Sequence, residues 1–385
     1  CLMPQILPNA FTLGLFAPTS GDIVNAKTMV IWGTNPTMLY GATSAIMDNQ
    51  EAGAKLIVID VRFTDFAKNA DLFIRPRPGT DGALALGIMN IIIENGWYDQ
   101  AWIDKWTYGF DELKARCAEF PADRVAEITG VPEEQIREAA KLMSQHGPST
   151  IVALLGPGCM HTNGIQAGRA IACLIGLLGD IDVPGGILID PSFDIMLDDR
   201  ITLWNSKKDP GRPELFAFGG DKYPMYKAFA RSNHPYATFD AVITGKPKPV
   251  KMFVFVASDP LLCYEDTKHT YKALTSENLE LLVVKDFYFS PTAQLADIVL
   301  PSADWSERDT WDEEISKGWI FPTERAVDPP GECWDDWKFF LEWGKCFSEE
   351  LWPWKDEKEM MLWRYKEFYG LDMTWDEFIA GGYIP

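Results

Sequence analysis

The sequence lacks most of the short signatures that assign a chemistry at sight. Its seven cysteines, at 1, 117, 159, 173, 263, 333 and 346, form no Cys-x-x-Cys pair and no regular spacing. That argues against a zinc site or an iron–sulfur cluster built by this chain alone, and at this length against a disulfide framework. No apolar run approaches the length needed to cross a bilayer, so direct membrane insertion is not expected. Positive charge is short: 35 Lys and Arg stand against 56 Asp and Glu, a formal net charge of −21. This excludes nucleic acid and anionic membrane surfaces as expected partners. An anionic ligand would need a local basic lining, for which Arg62, Arg75, Arg77, Arg169 and Lys285 lie close to the strand ends described below. Also missing is the Gly-x-Gly-x-x-Gly fingerprint after the first strand. Gly156-Pro-Gly158 lacks the third glycine, which leaves an ordinary Rossmann dehydrogenase poorly supported.

What is present is a globular composition, 47% hydrophobic and 24% charged over 385 residues, enough for two or three domains. Fifteen Trp and 22 Phe are many, and the tryptophans crowd the last quarter, where core or interface packing explains them better than an aromatic cage.

The chain is organised around two copies of one pattern. Residues 29–77 contain Met29-Val-Ile-Trp-Gly33-Thr-Asn35-Pro36, then Lys55-Leu-Ile-Val-Ile-Asp60, then Asn69-Ala70-Asp71. Residues 252–301 contain Met252-Phe-Val-Phe-Val-Ala-Ser258-Asp259-Pro260, then Leu281-Leu-Val-Val-Lys-Asp286, then Leu295-Ala296-Asp297. Asn35-Pro36 precedes Asp259-Pro260 by 224 positions, while Asp60, Ala67, Ala70 and Asp71 each precede Asp286, Ala293, Ala296 and Asp297 by 226. Apolar runs without alternation, separated by turns and helix-like segments, suit parallel strands covered on both faces in a doubly wound α/β unit. Ligands of such sheets bind beyond the carboxyl ends of the strands. Those ends are Gly33-Thr34-Asn35, Asp60, Gly156-Pro157-Gly158, Ser258-Asp259 and Asp286. Small residues there admit a ligand, and Asn, Thr and Asp hydrogen-bond a ribose or a base edge. At any single position a simple turn remains an equal reading.

Between these stretches, helices are expected near 43–52, near 82–94 with Asp81 as N-cap, through the peripheral region 99–146, and over 165–178, with a strand over 149–156. Residues 191–250 carry seven prolines between 191 and 249 and read as loops. The segments divide as 1–190, a first α/β unit; 191–310, a second, partial one; and 311–385, an irregular or helical tail belonging to neighbouring domains. Cys1 is not an initiator methionine, and the chain reads as an interior segment of a longer protein, with any export signal upstream of residue 1.

The residues resemble the molybdopterin oxidoreductases of the dimethyl sulfoxide reductase superfamily. The stretches that carry the resemblance are Trp32-Gly-Thr-Asn-Pro36, Ile59-Asp-Val-Arg62 with Ala70-Asp71, Arg77-Pro-Gly-Thr-Asp81, Leu178-Gly-Asp-Ile-Asp-Val-Pro-Gly-Gly186 and Thr292-Ala-Gln-Leu-Ala-Asp-Ile-Val-Leu-Pro301 with Glu307. Trp97-Tyr-Asp, Tyr108-Gly-Phe-Asp-Glu-Leu-Lys114, Val125-Ala-Glu-Ile-Thr-Gly130 and Trp352-Pro-Trp-Lys-Asp356 are most similar to the acetylene hydratase branch.

The resemblance implies an enzyme that transfers oxygen atoms or electron pairs, or hydrates a small-molecule substrate. It would act at molybdenum or tungsten held by two molybdopterin guanine dinucleotides, one per α/β unit. By position, Gly33, Asn35, Asp60, Arg62, Gly79 and Asp81 would line one dinucleotide, with Gly158 on the same side. Ser258, Asp259, Asp286 and Thr292 would line the other; Asp259 stands where many relatives carry Asn. Cys1 would be the metal ligand, a soft thiolate suited to such a metal, or a terminal cysteine without a role. His161 would be a proton donor beside the pterin, or a satisfied residue of the core or of the layer behind the site. A [4Fe–4S] cluster is expected upstream of residue 1. Implied partners are the remaining amino- and carboxyl-terminal domains and an iron–sulfur electron-transfer subunit. The alternative is a non-catalytic scaffold or electron-transfer homologue that keeps the fold without the metal.

Overall fold

The apolar run at 55–59 does form a strand covered on both faces. The computed structural model describes residues 3–14, 19–38, 40–153, 155–189, 218–223, 233–314 and 319–382, and the chain divides into two units, Cys1–Asp194 and Ile195–Pro385. The first unit runs α1 (Met3–Thr12), β1 (Thr19–Gly21), β2 (Thr28–Trp32), α2 (Tyr40–Glu51), β3 (Lys55–Ile59), α3 (Asp65–Asn69), β4 (Leu72–Ile74) and α4 (Asp81–Glu94). It continues with α5 (Gln100–Trp106), α6 (Phe110–Cys117), α7 (Ala122–Thr129), α8 (Glu133–Gln145), β5 (Ser149–Ala153), α9 (Leu155–Cys159), α10 (Gly164–Leu178) and β6 (Ile187–Ile189). The central sheet has the order β4-β3-β2-β5, all parallel. Alternate residues serve its two faces. Val30, Trp32, Ile57, Ile59 and Ile74 pack under α4 and α10, while Met29, Ile31, Leu56 and Val58 pack under α2 and α3. Each side chain so buried contributes about 1.5–3 kcal/mol.

The second unit repeats the plan in shorter form. β7 (Met252–Val256), β8 (Leu281–Asp286) and β9 (Ile298–Pro301) make a parallel sheet in that order. Phe253, Phe255, Leu282 and Val284 form one face, as Met29, Ile31, Leu56 and Val58 do in the first unit.

The repeat extends to individual hydrogen bonds. Asp71 Oδ2 accepts the Leu56 amide at 2.9 Å, and Asp297 Oδ2 accepts the Leu282 amide at 2.7 Å. Both satisfy a donor at the start of a central strand, where a parallel sheet has no tight turn to supply a partner. Asp180 does the same for β5, accepting the Ser149 amide at 2.7 Å. Their electrostatics differ. Burial alone would raise Asp71, but hydrogen bonds from the Lys55 ammonium and the Leu56 amide hold it below the ordinary carboxylate value. Burial pushes the Asp180 carboxyl up, against the pull of the Ser149 amide. At the opposite ends, Gly33 N–H donates to Ile59 O at 2.8 Å and Ala257 N–H to Lys285 O at 2.9 Å, with φ of +61° and +50° respectively.

Several local expectations are corrected. Asp81 is the first residue inside α4 and Thr80 is its N-cap, because the Asp81 carboxylate turns inward to take the Trp32 indole N–H at 2.8 Å. Gly156-Pro-Gly158 is not a strand end followed by a turn: β5 stops at Ala153 and these residues form the short helix α9. Within 191–250, read as loops, Pro235–Thr244 is a helix, since proline at the first helical position lacks only an N–H that would be unsatisfied anyway.

The tail, expected to be irregular or helical, is built of helices and one hairpin. It contains the antiparallel hairpin β10 (Thr310–Glu314) and β11 (Trp319–Thr323) and the helices Asp336–Phe347, Glu357–Tyr369 and Trp375–Gly381. Trp311, Ile320, Met361, Tyr365, Trp375 and Phe378 form its own core. It is tied to the second sheet by Lys285, whose side chain is 1% exposed and whose Nζ meets Asp336 Oδ1 at 2.7 Å and Ser302 Oγ at 2.6 Å. Lys285 therefore does not line an anion site. Its charge is spent on the first residue of the helix Asp336–Phe347.

Four single substitutions and one double substitution have outcomes that denaturation measurements can check. Ala257→Gly should stabilise by roughly 0.5–1 kcal/mol, since it relieves a left-handed conformation that costs an L-residue about 1–2 kcal/mol. Gly33→Ala should destabilise instead, because its Cβ would sit 2.5 Å from Pro157 Cδ. Asp180→Asn keeps an acceptor for Ser149 and removes a desolvated charge. A raised carboxyl costs stability above its folded pKa and the cost fades as pH falls through that value, so the variant's higher melting temperature at pH 7 should converge on wild type in acid. Asp336→Ala, which strands a buried ammonium, should cost about 3 kcal/mol, and the pair Lys285→Met/Asp336→Leu should cost less than that single change.

Candidate functional site

In the first unit the chain passes from β2 outward to β3 and β4, then returns to β5 on the other side of β2. The strand order therefore reverses between β2 and β5, and the carboxyl ends at such a switch point are the place where open α/β sheets bind ligands. The backbones meet there: Gly156 N–H donates to Gly33 O at 3.2 Å. A Cβ on Gly156 would lie 2.7 Å from that oxygen, so only glycine permits the approach. Two residues on, Asn35 Oδ1 is buried and finds no hydrogen-bond partner among the described residues.

Asp60 is 7% exposed, and its Oδ1 accepts the Arg62 amide at 2.7 Å, which fixes the turn after β3. The Arg62 and Arg75 side chains are exposed and make no ion pair among the described residues. Arg77, expected in the basic lining, is occupied elsewhere: its Nη1 donates to Glu127 O at 2.5 Å and Ile128 O at 3.1 Å, at the carboxyl end of α7. The peripheral helices thereby hold the loop 75–80 in place. A Cβ on Gly79 in that loop would lie 3.7 Å from His161 Cγ, so Gly79 and His161 are neighbours.

His161 lies in the loop between α9 and α10. Its Nε2 is 2.9 Å from Pro157 O, and its Nδ1 is 3.2 Å from the Asn163 amide nitrogen. The carbonyl requires a donor and the amide requires an acceptor, an arrangement served by the tautomer with its hydrogen on Nε2. Both nitrogens serve the backbone of their own loop. Gly158 packs closely beneath α10, where a Cβ on Gly164 would lie 2.1 Å from its carbonyl oxygen.

The second unit builds the matching strand ends with different side chains. Asp286 Oδ1 accepts the Tyr288 amide at 3.3 Å, as Asp60 does for Arg62. Asp259 stands where Asn35 stands in the first unit. The fully buried Thr292 donates its hydroxyl to Asp259 Oδ1 and accepts the Leu261 amide at 3.3 Å. Asp259 Oδ2 is buried and finds no partner among the described residues. Ser258 is half-buried beside it.

Of the sequence-expected positions in the first unit, Gly33 abuts α9 and Gly79 abuts His161, while Asp60 and Arg62 follow β3; in the second, Thr292 bonds Asp259, Ser258 precedes it and Asp286 ends β8. Asp81 is bonded to Trp32. Glu307 accepts the Asp304 amide at 2.9 Å in a capping box. Cys1 lies outside the described residues. Sequence reading missed Gly156 as the partner of Gly33 and Trp32 as the partner of Asp81, since both depend on segments more than 40 positions apart meeting. Among the described residues no group of three His, Cys, Asp or Glu is placed to hold a metal ion, and no helix is long and apolar enough to cross a membrane.

Asn35 Oδ1 and Asp259 Oδ2 are thus two buried oxygens without a described partner at equivalent strand ends. Residues 12–345 match the family model described as molybdopterin oxidoreductase. Acetylene hydratase of Syntrophotalea acetylenica is 34% identical over 353 residues, covering 85% of this chain and 47% of that protein. The F420-dependent formate dehydrogenase subunit alpha of Methanocaldococcus jannaschii is 30% identical over 341 residues, covering 85% and 48%. The solved structure of acetylene hydratase from Pelobacter acetylenicus superposes with a TM-score of 0.81 at 29% identity, covering 100% of this chain and 55% of that one. The chain spans about half the length of the curated relatives it matches. With a doubly wound parallel sheet in its first unit, a related one in its second, and a family match over most of its length, the chain belongs to the molybdopterin oxidoreductase family.

Proposed function

We propose that this chain supplies the two dinucleotide-binding units of a molybdenum- or tungsten-dependent enzyme that carries two molybdopterin guanine dinucleotides, one per unit. The observation that carries the reading is the recurrence of a buried, unpartnered oxygen at one repeat position, Asn35 Oδ1 and Asp259 Oδ2. Burying an acceptor without a donor costs about 1–3 kcal/mol, which a ligand hydroxyl or N–H at each site would recover. The family makes a molybdopterin-using enzyme the general class. The bound group supplies a metal at which oxygen atoms, electron pairs or water can be transferred.

The residues of the chain do the rest. Gly33 and Gly156 let the ends of β2 and α9 meet backbone to backbone beside Asn35. Asp60 and Asp286 each commit one oxygen to their own turn and keep the second for a ribose. Arg62 and Arg75 offer charge to a pyrophosphate in an otherwise acidic chain. In the tautomer with its hydrogen on Nε2, His161 holds that proton against Pro157 O; to donate it to a substrate the ring must leave that carbonyl. Asp259 in place of an amide adds a negative charge, so the contact it makes is to a ligand donor and not to a phosphate. The chemistry at the metal is oxygen-atom or electron-pair transfer or hydration, with an iron–sulfur cluster and an electron-transfer subunit joining the redox variants.

The test is metal and pterin analysis of the protein purified without oxygen. About two guanine dinucleotides and one molybdenum or tungsten per polypeptide are expected. Absence of both would replace the enzyme with a scaffold that keeps the fold. Turnover that needs an electron donor would assign redox chemistry, and turnover without one would assign hydration.

A further inference from the structure

Each unit displays an aromatic turn directly behind the acid that ends its central strand. In the first, Asp60 Oδ1 accepts the Arg62 amide at 2.7 Å, and Thr64 Oγ1 then caps α3 by accepting the Ala67 amide at 3.2 Å. In the second, Asp286 Oδ1 accepts the Tyr288 amide and Ser290 Oγ the Ala293 amide, both at 3.3 Å. The residues between are Val61-Arg62-Phe63 and Phe287-Tyr288-Phe289. Two side-chain acceptors, one before and one after, fix each turn.

Phe63 is 61% exposed and Phe289 is 68% exposed, and they lie 226 positions apart, at the spacing of the whole repeat. An isolated exposed ring on a surface requires no explanation. Here the ring recurs at one repeat position, is held in a fixed turn, and stands three residues after the acid at the strand's carboxyl end. Phe63 leans on Phe73 edge-to-face at 5.3 Å, which limits its movement without covering it. The position matching Phe73 is Val299, itself 36% exposed. Neither ring is used by the cores of its unit.

We propose that Phe63 and Phe289 are stacking platforms for the purine base of the nucleotide each unit binds. An acid at this strand end accepts ribose hydroxyls, and the base is the group attached to that ribose. A flat, exposed ring at fixed distance from the acid suits the face of a base and has nothing to offer a phosphate. The residue before each platform sets the units apart: it is Arg62 in the first, and in the second Tyr288, 79% exposed. The proposal rests on the dinucleotide reading above and adds the residues that grip the base.

The test is calorimetric titration of the cofactor-free protein with guanosine 5′-monophosphate and, separately, ribose 5-phosphate. Wild type should prefer the nucleotide. Phe63→Ala/Phe289→Ala should weaken nucleotide binding about tenfold or more, with ribose 5-phosphate binding and melting temperature unchanged, and Phe63→Trp/Phe289→Trp should restore it. Equal nucleotide affinity in wild type and the double alanine variant would overturn the stacking role while leaving the dinucleotide reading intact. A wild-type protein that binds neither probe would overturn both.

Discussion

A parallel strand cannot be entered through a tight turn, so the donors at its start must find acceptors from elsewhere in the chain. In this protein aspartates supply them. Asp71, Asp180 and Asp297 accept the amides of Leu56, Ser149 and Leu282. With these strand starts satisfied, the register of the sheets follows, and with the register the strand ends where Gly33, Asn35, Asp60, Ser258, Asp259 and Asp286 stand. The site at one end of each sheet thus depends on carboxylates at the other.

Both units are elaborations of this plan, and their departures have physical causes. In the first, helices cover both faces of the sheet, and Asp81 at the start of α4 reaches in to Trp32. In the second, Asp336 at the start of a tail helix reaches in to Lys285. The two contacts have the same form, a helix-starting carboxylate bonded to a strand side chain. One is a neutral indole, however, and the other a buried ammonium that needs a counter-charge. That is why the tryptophan-rich tail is held to the second sheet.

Much of this was legible in the sequence. The 224- and 226-residue spacings announced two related α/β units, and each repeated aspartate proved to make the same bond in both copies. The family followed from the order of motifs such as Trp32-Gly-Thr-Asn-Pro36 and Arg77-Pro-Gly-Thr-Asp81. The helix Pro235–Thr244 was hidden because proline density reads as loop even when one proline opens a helix. The fold of the tail was hidden because aromatic residues at irregular spacing carry no period.

The sequence by itself determined the repeat, the strands and the family, since apolar runs and motif order are properties of a line. Only the tertiary structure decided what each recurring polar residue is for. Arg77, Asp81 and Lys285 looked equally suited to a ligand, yet each is bound to the chain itself. Asn35 and Asp259 keep a buried oxygen without a partner. Whether an acceptor is satisfied depends on which distant donors the fold brings within hydrogen-bond reach, and no local pattern of residues contains that distance.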